Sequence, residues 1–401
     1  MKILSISLTF PSSADPSRGV FVKERLHALS MIPGVDLRVV SPTPWFPPIK
    51  WFPKWYNWSQ YPRKESIATL PVERPRYVLP PKVGGYAHPQ LIDLAVKKKL
   101  DRIRDEWKFD VIDAHWAYPA GAWAAKLGRR YGVPVIITGR GEDMVKFPSL
   151  PIVGNKIRWA LKNSSRCIGV SREISELMKR NGAEASTVHT IPNGIDGNKF
   201  FLKDQLSCRT ACSLPAERRI LLSVGDRLEL KGFHLIVDAI AIMREKIPDI
   251  LYVIVGGPGR FGRDFTPQIQ SRIDEQGLSD HVRLAGPQPH QELVNWYNSA
   301  DLYVMMSSRE GSPNVLLESL ACGTPAVGTA VGGIKDELSN GTFGRLIGER
   351  SAESAAAAIL SELAEPRSRS SIAEAMKERT WEATAAQVHR LLKQVLSNGS
   401  V

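Results

Sequence analysis

The sequence predicts two doubly wound α/β domains. Three observations carry that prediction. At 401 residues the chain exceeds one ordinary hydrophobic core and suits two. Short all-apolar runs alternate with stretches of helical spacing, the pattern of parallel sheets covered on both faces. The alternation comes in two series, separated by a turn-rich polar segment.

In chain order, the first series offers strands at 2–8, 36–40, 111–114, 133–138, 166–170 and 188–191. The opening MKILSISLTFPSS has one lysine and a short apolar run, as a weak signal peptide would. It lacks a small-residue cleavage site and reads as a buried first strand. Pro192, Asn193 and Gly194 form a turn cluster, so the boundary is expected near 191–203, with domains at 1–191 and 192–380. The second series offers strands at 219–224, 251–255, 282–284, 302–306, 325–329 and 345–347. Helical spacing appears at 233–243 and 313–322, and 351–368 reads as ordinary helix. The tail 381–401 reads as a final amphipathic helix, with Ala385, Val388, Leu391, Leu392 and Val395 near one face. It is expected to pack back on the first domain. In such folds ligands bind at the carboxyl ends of the strands.

Composition is that of a soluble globular protein, with 43% hydrophobic and 23% charged residues. No apolar run reaches the roughly 18–20 residues that span a bilayer. The four cysteines, Cys167, Cys208, Cys212 and Cys322, show neither metal-ligand spacing nor a disulfide scaffold, so a reducing cytoplasm is the expected setting. No cofactor or metal is expected. A net charge of +12 favours anionic partners, or is simply a solvated surface. No nucleic-acid motif accompanies it, so no nucleic-acid partner is expected.

One stretch breaks the pattern. Residues 42–62 read PTPWFPPIKWFPKWYNWSQYP, in which proline rules out a long helix or strand. Trp45, Phe46, Trp51, Phe52, Trp55 and Trp58 lie there, with Lys50 and Lys54 interleaved. Flat amphipathic rings beside cations suit a membrane interface, giving one reading: contact with a membrane or lipid acceptor. The other is a long loop folded on its own aromatics.

The richest segment is SSREGSPNVLLESLACGTPAVGTAVGG at 307–333. Glu310 follows a strand end. Ser312 suits a helix N-cap and Pro313 the first turn, while Leu316, Leu317 and Leu320 face inward and Gly323 stops the helix. Glu318 then lies on the same helix. Carboxylates accept directed hydrogen bonds from sugar and ribose hydroxyls, and a helix N-terminus offers backbone N–H groups. Two glutamates at this spacing are common by chance; the strand, loop, capped helix and glycine turns around them give the pair its weight.

The segment resembles the paired-glutamate signature of retaining GT-B glycosyltransferases of family 4. IPNGID at 191–196, Gly225 through Lys231–Gly232, VGGIKDEL at 331–338 and FP…RGVFVKE at 10–24 are similar to other motifs of that family. DAHWAYPAGAWA and ITGRGED resemble a subgroup that makes bacterial surface polysaccharides. The resemblance implies a GT-B fold, two Rossmann-like domains with the cleft between them. It implies that Glu310 contacts the donor sugar, Glu318 the nucleotide ribose and Lys231 the diphosphate, without a metal. Gly19 would admit the phosphate, Gly311, Pro313, Asn314 and Val315 would hold sugar hydroxyls, and Leu284 and Gly286 would border the base.

Two departures stand out. The place of the usual phosphate arginine holds Asp226, with Arg227 next to it, either a shifted phosphate contact or a surface cation. Where many relatives carry a histidine, this chain has Arg140 within TGRGED, a residue that holds phosphate or hydroxyl but is no base at neutral pH. Asp143 orients the acceptor or Arg140, or serves as a helix-start carboxylate. His115 and Tyr118 fall on the acceptor side, His115 being equally readable as a satisfied core histidine. The expected activity is retaining transfer from a nucleotide-diphosphate sugar, uridine preferred, to a lipid-linked or polysaccharide acceptor at the cytoplasmic face of the cell membrane. The rivals are a nucleotide-sugar epimerase of the same fold and a non-catalytic glycan-binding protein.

Overall fold

The computed structural model describes residues 1–80, 84–259 and 263–398, apart from the side chains of Pro53, Lys54 and Asn398. The interleaved Lys54 side chain and the expected helical tail 399–401 therefore lie outside the described residues. The chain divides into two compact units, Met1–Asn193 with Trp381–Val401, and Gly194–Thr380.

The first unit contains β1 (Lys2–Ile6), β2 (Asp36–Val40), β3 (Thr43–Trp45), β4 (Lys64–Ile67), β5 (Leu70–Glu73), β6 (Arg76–Val78), β7 (Val111–His115), β8 (Val135–Gly139), β9 (Arg166–Gly169) and β10 (Val188–Thr190). Eight of them form one sheet in the order β10-β9-β8-β7-β1-β2-β5-β4. All its pairs are parallel except the edge hairpin β4–β5. Side chains alternate across the strands, so both faces need cover. Leu4, Ile6, Ile112 and Ile137 enter one core with helix His88–Trp107. Ile3, Val39, Val111 and Ile136 enter the other, closed by Val22 and Leu26 of helix Val20–Ser30. Trp381, Ala385, Val388, Leu392 and Val395 of helix Trp381–Asn398 complete this second core.

The second unit contains β11 (Arg219–Val224), β12 (Ile250–Val255), β13 (Val282–Gly286), β14 (Leu302–Met305), β15 (Ala326–Thr329) and β16 (Gly344–Ile347). The order is β13-β12-β11-β14-β15-β16, and every pair is parallel. Chain direction across the sheet reverses between β11 and β14. In the first unit the corresponding reversal lies between β1 and β7. Such switch points leave a crevice at the carboxyl ends of the strands, because the flanking connections leave to opposite faces.

The strands expected from apolar runs are present with small shifts at their ends, but β3 to β6 add four that the periodicity did not reveal. The stretch 42–62 holds two short elements, β3 and helix Pro53–Ser59. Its packing is mixed. Phe46, Phe52, Trp55 and Trp58 form a chain of ring contacts 5.1–5.6 Å apart, whereas Trp51 is 90% exposed. Among the described residues no helix is long and apolar enough to cross a membrane.

Candidate functional site

In the second unit, the loops after β11 and β14 meet at the switch point. The chain leaves β11 through Gly225 and makes a short turn, Glu229–Lys231. Lys231 Nζ lies 2.6 Å from Glu310 Oε1, and Ser307 Oγ donates to the same oxygen at 2.8 Å. Ser307 is itself fixed, because Thr329 Oγ1 donates to its carbonyl at 2.6 Å. The Glu310 loop rests on Gly332, whose φ is +47° and where a Cβ would stand 2.0 Å from the Glu310 carbonyl oxygen. Only glycine fits there, and Gly333 N–H donates to Gly311 O at 2.8 Å.

The following helix runs Asn314–Ala321, one residue later than expected. Its N-cap position is Pro313, with no side-chain cap, so Ser312 is not the N-cap. Proline at that place cannot donate a backbone hydrogen bond, and its extended conformation (φ −74°, ψ 108°) sets the entry of the chain. Leu316, Leu317 and Leu320 are buried and Gly323 ends the helix at φ +74°.

Glu318 is 7% exposed. Tyr297 Oη donates to its Oε2 at 2.7 Å, and His290 Nε2 lies 3.2 Å from Oε1. Burial, and then the Glu318 carboxylate beside it, push the Tyr297 phenol well above its ordinary range, so it remains a donor. Phe200 packs edge-on against both His290 and Tyr297. Leu284 and Gly286 lie on β13, and Gly286 O accepts from Gly256 N–H at 2.9 Å.

Arg227 is not a surface cation. It is 8% exposed, with Nε donating to Thr266 Oγ1 at 2.7 Å and Nη1 to Gly256 O at 2.6 Å. Its guanidinium ties the β11 and β12 loops together, which leaves Lys231 as the cation paired with Glu310.

In the first unit, Gly19 opens helix Val20–Ser30 at φ +71°, and a Cβ there would stand 2.4 Å from Thr9 O. At the ends of β7 and β8 lies a buried polar cluster. Arg140 Nη2 and Nε reach His115 Nδ1 at 2.9 and 3.3 Å, and Nη1 donates to Asn193 Oδ1 at 3.3 Å. The guanidinium lies over Phe21 and Trp116, 5.1 and 5.8 Å from the ring centroids. Trp116 holds φ 72° with ψ 130°, a sparsely populated conformation costing roughly 1–3 kcal/mol for such a residue. Asp143 is buried and accepts from the backbone N–H groups of Ala117, Arg140 and Gly141 at 2.7–3.1 Å. Burial raises its pKa against those three donors. Tyr118 is buried, its hydroxyl donating to the Gly85 and Tyr86 carbonyls.

The structure joins two sets of the sequence-predicted residues, Lys231 with Glu310, and His115 and Arg140 with Asp143. Glu318, on the helix that follows the Glu310 loop, pairs instead with Tyr297 and His290, and Arg227 with Thr266 and Gly256. Ser307, His290, Tyr297, Arg25, Asp113 and Asn193 had no assigned role. Asp113 did carry a signal, being an acidic residue inside the expected apolar strand at 111–114.

The comparisons with known proteins agree with this architecture. Residues 58–199 match the model "Glycosyltransferase Family 4", and residues 209–379 match "Glycosyl transferases group 1". A D-inositol 3-phosphate glycosyltransferase of Thermobispora bispora is 30% identical over 319 residues, covering 74% of this chain and 73% of that protein. TuaC of Bacillus subtilis (strain 168), provisionally assigned to teichuronic acid biosynthesis as a glycosyltransferase, is 29% identical over 90% of this chain and 88% of its own length. Among solved structures, sucrose-phosphate synthase of Thermosynechococcus elongatus superposes with a TM-score of 0.81 at 21% identity, over 99% of this chain and 100% of that one. Anabaena HepE in complex with UDP-glucose gives 0.72 at 18%, over 98% of this chain and 100% of that one. The two doubly wound units and the solved structures they match define a GT-B fold. The chain belongs to glycosyltransferase family 4.

Proposed function

We propose that this glycosyltransferase moves a sugar, with retention of anomeric configuration, from a UDP-sugar to a lipid-linked or polysaccharide acceptor. The observation that carries the reading is the Lys231–Glu310–Ser307 cluster at the β11/β14 switch point, with Glu318 on the adjoining helix. A cation there stabilises the charge that develops on a departing diphosphate. Glu310 accepts from donor-sugar hydroxyls and Glu318 from the ribose. The N–H groups of Gly311, Asn314 and Val315 serve the sugar, Leu284 and Gly286 flank the base, and Gly19 admits the phosphate. The C–O bond to the diphosphate breaks, the acceptor oxygen bonds the same carbon, and the acceptor proton passes to the leaving phosphate oxygen. Lys231 and the backbone carry the charge, so chelation should leave turnover unchanged.

Uridine is favoured because HepE was solved with UDP and UDP-glucose. A surface-glycan acceptor is favoured by the TuaC likeness over most of both chains. The first unit holds that acceptor, with Arg140 on a phosphate or hydroxyl. Exposed Trp45, Trp51 and Phe52 contact the membrane at its cytoplasmic face. The test is a thermal-shift screen of UDP-, GDP- and ADP-sugars, followed by UDP release with and without glycan acceptor. Stabilisation by UDP-sugars and acceptor-dependent release with a retained anomer are expected. Release of free UDP that no acceptor increases would refute transfer to an acceptor.

A further inference from the structure

Four ionisable side chains are buried together in the first unit, and the proposed activity uses one of them. Arg25 is 2% exposed and Asp113 and His115 are fully buried. Arg25 Nη2 contacts both Asp113 oxygens at 2.7 Å, and its Nη1 donates to Thr138 Oγ1 at 2.9 Å. Asp113 Oδ2 lies 3.3 Å from His115 Nε2, close enough for attraction though not aligned as a full hydrogen bond. His115 Nδ1 faces two N–H groups of Arg140. A guanidinium only donates, so Nδ1 has to be the acceptor. The imidazole is then neutral with its proton on Nε2, toward Asp113.

We propose that His115 is a positioning residue: its Nδ1 lone pair holds the Arg140 guanidinium, and the buried Arg25–Asp113 pair selects the tautomer that leaves this lone pair free. The inference rests on Arg140 holding an acceptor phosphate or hydroxyl, as proposed above.

The electrostatics fit. Burial alone would raise the Asp113 pKa, but the Arg25 cation opposes it and wins, so the carboxylate stays ionised. Burial, with Arg25 and Arg140 nearby, pushes His115 down to about 3 against the pull of Asp113. A protonated His115 would place an N–H against the N–H groups of Arg140 and a third cation on one carboxylate. The Phe21 and Trp116 rings limit tilting of the guanidinium. With His115 and Asn193 taking three of its five N–H bonds, one on each terminal nitrogen remains for a phosphate or sugar hydroxyl.

The test uses the full chain and nitrogen-15 imidazole spectra from about pH 5 to about pH 8, on both sides of the ordinary histidine pKa of about 6.5. His115→Asn assigns the resonance. The expected result is a neutral ring protonated at Nε2 throughout, with an Nδ1 shift that moves in Arg140→Met. A ring protonated at Nδ1, an imidazolium in this range, or an Nδ1 indifferent to Arg140→Met would overturn the proposal. Kinetics supply the second arm, read as UDP released from UDP-glucose, UDP-galactose and UDP-N-acetylglucosamine. His115→Leu should lower kcat about 100-fold, the scale of a misplaced catalytic group, with donor KM nearly unchanged. His115→Asn keeps an acceptor at the Nδ1 place and should recover about tenfold of that loss. Equal loss in both variants at equal Tm would overturn the positioning role. Full activity in Arg140→Met beside the expected spectra would instead sink the reading of Arg140 as an acceptor contact.

Discussion

Both carboxylate oxygens of Glu318 are held from within its own unit, one by Tyr297 and one by His290. Glu310 is held by Lys231 and Ser307 through a single oxygen. The two glutamates are therefore set differently. Glu318 is a fixed wall whose loss should weaken nucleotide binding, while Glu310 keeps an oxygen outside this pairing and its loss should mainly lower turnover. Calorimetry with UDP and initial rates on Glu318→Ala and Glu310→Ala separate these effects; unaltered binding and rates in both would sink the site assignment. Tyr297→Phe leaves a buried carboxylate oxygen without its donor, which costs about 1–3 kcal/mol and should lower Tm. The two glutamates were legible because one loop and one helix carry both. Their partners were not. Tyr297 and His290 precede Glu318 by 21 and 28 residues, on a helix and the short turn before it that only the fold brings near.

At the scale of elements, apolar runs marked the buried parallel strands, because those strands are covered on both faces. The hairpin β4–β5 gave no such mark. Its strands are half-exposed, and its two turn residues are Ala68 and Thr69 at φ +48° and +70°, where asparagine and glycine usually announce a turn. Thr69→Gly removes that strain and should raise stability by about 1 kcal/mol, seen as a higher denaturation midpoint. An unchanged or lower midpoint would mean the turn is held at no strain. The aromatic stretch was legible as irregular, but its division was not. Ring-to-ring contacts bury part of it, and Trp51 and Phe52 stay outward. Trp51→Ser with Phe52→Ser should reduce sedimentation with anionic vesicles while leaving UDP binding intact; unchanged sedimentation would remove the membrane contact.

At the scale of the molecule, charge and burial set the response to acid. Burial pushes His88 down to about 4, and His115 down to about 3. The unfolded chain takes up protons near pH 6.5, whereas the folded chain resists them until far lower. The stability contributed by these neutral rings is thus full above pH 6.5 and is lost as pH falls toward 4 and below. At pH 5 each site costs roughly 2 kcal/mol. Urea midpoints at pH 7 and pH 5 should differ accordingly, and His88→Phe should flatten part of the slope. A flat profile in the parent chain would show that both rings are protonated without penalty.

The helix Trp381–Asn398 closes a core whose strands begin at Lys2. The ribosome makes those strands before this cover, with the whole of Gly194–Thr380 in between. The second unit can therefore complete its own sheet during synthesis. The first unit meanwhile carries Ile3, Val39, Val111 and Ile136 under an unfinished roof. The first unit starts before the second and closes after it, so its apolar face is exposed to aggregation until the closing helix is made.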